Sequence, residues 1–171
     1  MFKRGFTLIE LIVVIAIIAV LAAIVAPSAF KTVEKAKVSG TVGDWKSIKT
    51  AAMAYYSDAG QWPANCSGSG CVSNDFFNNS SAVTGWDGPY LDKWPNGRWG
   101  SGTVGWNAST SSSNFGASNA GERWVTITGV SADSANKIDT AIDGTNNTTS
   151  GSGRYSGTNM TILISRDGPV N

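Results

Sequence analysis

The chain has 171 residues, a formal net charge of +1, 42% hydrophobic residues, two cysteines and no histidine. That length accommodates one membrane segment and one modest domain. The lack of histidine excludes Ser-His-Asp and Cys-His catalysis and His-ligated metal sites, and a near-neutral charge with no basic cluster beyond the N-terminal helix argues against nucleic acid as the main partner.

Lys3 and Arg4 precede an apolar run from Phe6 to Ala26, and positive charge holds that end in the cytoplasm. The 21 residues of the run reach about 31 Å as a helix, enough to cross the hydrocarbon layer. A secretory signal peptide is the simplest alternative. Such a peptide would have a longer leader and a shorter apolar core, and Glu10 would serve no purpose in a discarded segment. A one-pass anchor accounts for the length but not for the acid, because a carboxylate in hydrocarbon costs roughly 2.5–3.5 kcal/mol on insertion scales.

The stretch KRGFTLIELIVVIAIIAVLAAIVAP resembles the N-terminus of the type IV pilin superfamily, which includes pilins and the pseudopilins of type II secretion. The resemblance implies a leader over residues 1–5, cut between Gly5 and Phe6 by a prepilin peptidase on the cytoplasmic face, and methylation of the new Phe6 amino group. It also gives Glu10 a use. In a filament the apolar helices bundle together, and a buried carboxylate needs a partner; the Phe6 nitrogen of a neighbouring subunit supplies one. Such a pair adds little stability but favours one axial register, as buried polar pairs do in coiled coils. Glu10 is therefore expected to be an assembly residue. The implied partners are other copies in a helical filament, the peptidase, an inner-membrane assembly platform, and minor pilins or pseudopilins.

Residues 6–26 are thus expected to form the membrane and filament-core helix, and residues 27–58 its amphipathic continuation. Pro27 should kink it. Phe30, Val33, Ala36, Val42, Trp45, Ile48, Ala52 and Tyr55 recur at spacings near three or four, and lysines and acids fill much of the opposite face. That stripe is expected to carry a globular head. Gly40 and Gly43 weaken the helix, each interior glycine costing about 1 kcal/mol relative to alanine, so a break or bend is expected over 39–43. The helix should end near Asp58-Ala59-Gly60, where glycine supplies a cap.

Residues 59–171 read as a head of loops and antiparallel strands. Cys66 and Cys71 are separated by four small residues, which predicts a local structural disulfide rather than a redox pair, and with it an oxidising compartment. GPYLDKWPNGRWG resembles the major pseudopilin of type II secretion at Gly88, Pro89, Tyr90, Leu91, Pro95, Trp99 and Gly100. It departs from that pattern at Asn96-Gly97-Arg98, where acidic and proline residues are replaced. The resemblance implies a loop that packs on the helix and positions the sheet; an ordinary aromatic loop with Gly/Pro turns is the alternative. Strands are predicted over residues 102–108, 123–130 and 158–165, and a short surface helix from the spacing of Ala132, Ala135, Ile138 and Ile142.

The oxygen-rich segments 143–153 and 166–168 raise calcium, which the major pseudopilins bind near their C-terminus. Asp143, Asn147 and Asp167 are the candidate ligands, fewer than a hard cation takes. Solvated Asx- and Ser-rich loops are the default reading there, and no other cofactor is expected. Asn-x-Ser/Thr sequons such as Asn107 and Asn159 arise by chance in a head of this composition.

The fold expected is α+β, a long N-terminal helix packed on a small antiparallel sheet. The function expected is that of a structural, non-enzymatic subunit, held in the inner membrane by a single pass with its head outside and then assembled into a periplasmic or extracellular filament. A pseudopilus subunit that drives protein export is slightly favoured over a pilus subunit for adhesion, motility or DNA uptake. Of a different class is a membrane-tethered carbohydrate-binding or enzymatic domain, which the seven tryptophans keep open because exposed indoles stack on sugars.

Overall fold

A computed structural model describes residues 5–109, 121–145 and 151–165. Its first element, helix α1 (Leu8–Ala59), contains Pro27 without interruption. Pro27 supplies no backbone donor, and side chains tie the turns around it. The Ser28 hydroxyl donates to the Val25 carbonyl at 2.8 Å, and that of Thr32 donates to the Ser28 carbonyl at 3.0 Å. The break expected over 39–43 does not form; hydrogen bonds from Trp99 to Thr41 and from Arg98 to Asp44 fasten this part of the helix. Gly60 caps the helix at φ +68, its N–H donating to the Tyr56 carbonyl at 2.9 Å.

The chain divides into two compact units, Met1–Ala36 and Lys37–Asn171. In the first, the large apolar side chains from Leu8 to Val25 are 49–73% exposed. Their apolar surface is left for lipid or for another molecule, and the helix is long and apolar enough to cross a membrane. Phe30 and Val33 are also exposed, at 76% and 55%. The buried stripe therefore starts later than the periodicity suggests.

In the second unit α1 buries Val38, Thr41, Ile48, Ala51, Ala52 and Tyr55, one face of a helix by their spacing. Five strands form an antiparallel sheet in the order β1-β2-β3-β5-β4: β1 (Cys66–Ser67), β2 (Val104–Ser109), β3 (Glu122–Thr128), β4 (Gly153–Ser156) and β5 (Asn159–Ser165). Val104 and Trp106 lie opposite Ile127 and Val125, which lie opposite Met160 and Ile162. Alternation puts all of these on one face, and all are buried with Ile48 and Phe76 in the core. Three strands match the expectation to within two residues. β1 and β4 were not foreseen: β1 has only two residues, and Gly-Arg-Tyr-Ser of β4 shows no apolar alternation.

Helix α2 (Ala132–Asp143) forms where its spacing predicts, burying Ala135 and Ile138. The Ser131 hydroxyl accepts from the Ser134 N–H at 3.3 Å, and Gly144 at φ +72 closes the C-terminus.

Candidate functional site

At the N-terminus, Gly5, Phe6 and Thr7 lie outside the helix, and Phe6 is 81% exposed. Thr7 occupies the N-cap. Its hydroxyl accepts from the Glu10 N–H at 3.3 Å and donates to Glu10 Oε2 at 2.8 Å, while its own N–H donates to the same oxygen at 2.8 Å. This reciprocal arrangement is a capping box, in which two N–H groups that a helix start would leave orphaned are both satisfied. A carboxylate in the first turn also complements the positive end of the helix dipole. The acid that the apolar run left unexplained thus has a partner within its own chain. Both bonds to the carboxylate fall on Oε2, and Oε1 accepts none among the described residues. Sequence reasoning passed over Thr7, although Thr-x-x-Glu directly before an apolar run is the signature of such a box.

In the second unit, the loop carrying the GPYL resemblance is fastened to α1 at two places. At one end, Tyr90 Oη donates to Asp58 Oδ2 at 2.9 Å and accepts from the Asp87 N–H at 2.9 Å. Its ring meets Tyr55 and Trp86 edge-on, with centroids 5.4 and 5.9 Å away. Burial, then the nearby carboxylates Asp58 and Asp87, raise the Tyr90 phenol above its ordinary value. The Tyr90 and Leu91 N–H groups donate to the Phe76 carbonyl at 2.8 and 3.4 Å. The Gly88–Pro89 bond is cis, and a side chain on Gly88 would come within 2.5 Å of the Trp86 ring.

At the other end, Trp99 Nε1 donates to Thr41 Oγ1 at 3.1 Å, and Arg98 forms a fork with Asp44, Nε to Oδ2 at 2.7 Å and Nη2 to Oδ1 at 2.9 Å. The hydrogen bonds to Asp44 hold the guanidinium pKa above its ordinary value. The fork sits against Gly40: a Cβ there would lie 2.7 Å from Arg98 Cζ. The glycine expected to break α1 instead leaves room for the clasp. Gly97 is equally constrained, because its Cβ would collide with the Gly102 carbonyl oxygen. The departure Asn96-Gly97-Arg98 therefore supplies its own fastening. Gly100 turns the chain at φ +58, and Pro95 lines an open groove of about 520 Å³ with Trp94 and Val72.

Asp75, 1% exposed, organises the loops on this side. Its Oδ1 accepts from Ser80 Oγ and the Ser81 N–H, and its Oδ2 from the Ala64 N–H and Ser81 Oγ, at 2.7–3.0 Å. Burial alone would raise its pKa, but these hydrogen bonds together hold it below the usual carboxylate range. The Cys66–Cys71 disulfide is present, with Cys71 fully buried. All seven tryptophans are buried or half-buried, and five indole N–H groups donate to oxygens within the head. Packing uses the rings that a sugar-binding face would have to expose.

Of the three calcium candidates, only Asp143 lies among the described residues. Asp143 Oδ2 accepts from the Ser152 and Gly153 N–H groups at 2.5 and 3.4 Å, a use that needs no cation. Asn147 and Asp167 lie outside the described residues. Among the described residues no cluster of three or more His, Cys, Asp or Glu side chains could hold a metal.

Residues 1–26 match the prokaryotic N-terminal methylation motif, and residues 32–114 match the family described as PilW, C-terminal. No curated protein and no solved structure gives a significant match. The second match takes in both the disulfide loop and the clasp at residues 86–100, and the first takes in Gly5, Phe6, Thr7 and Glu10. With these two matches and a long apolar helix that continues onto a small antiparallel sheet, the chain belongs to the type IV pilin-like proteins.

Proposed function

We propose that the chain is a structural subunit of a pilin-like filament, anchored in the inner membrane until it is processed between Gly5 and Phe6 and assembled. The observation that carries this reading is the exposed apolar surface of Leu8–Val25, behind a capped helix start whose acid keeps one oxygen open. Lipid covers such a surface before assembly, and the helices of neighbouring copies cover it afterwards. Glu10 Oε1 is then the acceptor offered to the Phe6 amino group of an adjacent copy. Glu10→Leu should enter the membrane at least as well as the native chain, because a charge has left hydrocarbon. It should assemble poorly, because the register is no longer biased. Filaments of normal number and pitch from this variant would refute the role given to Glu10.

Within this reading the pseudopilus role is put forward first, on the resemblance at Gly88–Leu91 and Trp99-Gly100. The polar head with its local disulfide favours the pilus role, and the PilW match spans the same loop, so the loop alone does not select between them. Deleting the chromosomal copy separates the roles. Loss of export with surface fibres intact supports the pseudopilus, and loss of fibres with normal export reverses the order.

A further inference from the structure

We propose that Thr7 is a positioning residue for the cleavage: through its box with Glu10 it fixes where α1 starts and holds the Gly5–Phe6 bond outside the helix. The inference rests on the processing reading above. Hydrolysis of that bond adds one water, leaving a carboxylate on Gly5 and an amine on Phe6. The attacking group must reach the Gly5 carbonyl carbon. Were α1 one turn longer, that carbonyl would accept from the Ile9 N–H, and the side chains of the added turn would crowd it.

The hydrogen bonds show what prevents the longer helix. The Glu10 N–H, which would otherwise bond the Phe6 carbonyl, goes to Thr7 Oγ1 instead. The Thr7 N–H, which would reach back to the carbonyl of residue 3, is taken by Glu10 Oε2. The first carbonyl to enter the ladder is that of Thr7, accepting from the Leu11 N–H at 3.3 Å. Two of the donors that would carry the helix toward the leader, those of Thr7 and Glu10, are thus consumed by one side-chain pair. The scissile bond lies two residues before α1, with exposed residues on both sides of it.

The test uses the full chain in membranes with its peptidase, following by intact mass the fraction that begins at Phe6, for the native chain, Thr7→Val and Thr7→Ser. Thr7→Val keeps the β-branched shape and removes the hydroxyl, and should slow cleavage about fivefold, the population equivalent of one lost N-cap. Thr7→Ser restores the hydroxyl and should cleave within about twofold of the native rate. In detergent micelles, the Cα chemical shifts of Gly5 and Phe6 should move toward helical values in uncleaved Thr7→Val and stay put in Thr7→Ser. Native-rate cleavage of Thr7→Val overturns the proposal. So does equal slowing in both variants, or slowing without the shift change, since either would mean that the peptidase reads the threonine directly. Native chain that keeps Met1 would instead fail the processing reading itself.

Discussion

Alanine at Gly40 poses a calculable conflict. In an exposed helix interior the substitution gains about 0.8–1.0 kcal/mol from propensity alone. Here the new Cβ would lie 2.7 Å from Arg98 Cζ and Nε and 2.9 Å from Nη1, so the guanidinium must withdraw from a fork that holds Asp44 at 2.7 and 2.9 Å. Arg98 and Asp44 side chains are 43% and 20% exposed, so the pair falls toward the surface range, about 0.5–1 kcal/mol. The gain and the loss then nearly cancel. Gly40→Ala alone should change stability by less than about 0.5 kcal/mol, whereas in an Arg98→Ala background, with the clasp already gone, it should stabilise by about 1 kcal/mol. For a unit of this size that difference is about 3 °C in Tm. Denaturant and thermal unfolding of the four chains in detergent measure the cycle. Equal stabilisation by Gly40→Ala in both backgrounds would refute the claim that Gly40 exists to admit Arg98.

Asp75 should make the head acid-sensitive. Its folded pKa lies below the unfolded value, so its contribution is full above about pH 4 and is lost as pH falls through the folded value; Asp75→Asn should flatten that limb of the stability–pH curve and cost about 2 kcal/mol at pH 7, both read by urea unfolding. Replacing Cys66 and Cys71 by serine should cost about 2 kcal/mol, the loop-closure entropy of so short a ring, and an equal Cm for the two proteins would contradict it. Trp106→Ala, at a fully buried ring that donates to the Pro63 carbonyl, should cost about 3–5 kcal/mol by the same assay.

What could be read in the sequence follows from which forces leave a periodic trace. Strands β2, β3 and β5 each place apolar residues on alternate positions, and α2 carries its Ser131 cap and Gly144 stop, so local pattern and fold agree. β4 left almost no hydrophobic trace. Its signal was the turn Ser156-Gly157-Thr158-Asn159, with Gly157 at φ +64, the glycine-first pair that closes a two-residue hairpin. Gly40 misled because propensity counts only the helix, while the deciding contact comes from Arg98, 58 residues further along the chain. Asp75 gave no signal at all. Its four donors come from three separate loop residues, and such convergence has no sequence period. Thr7 was legible, because its spacing to Glu10 is a local rule; the apolar run around the pair drew attention to lipid instead. The candidate site therefore divides: Gly5, Phe6 and Glu10 stand out by motif, and the clasp of Arg98, Asp44 and Gly40 emerges only from packing.

The measurement that tests the account most directly is the intact mass of the protein taken from its native membranes without reductant. The account predicts a chain beginning at Phe6, one methyl group heavier on its amino nitrogen, and two hydrogens lighter for the Cys66–Cys71 bond. A mass that retains Met1, or that corresponds to a cut near Ala29, would contradict it.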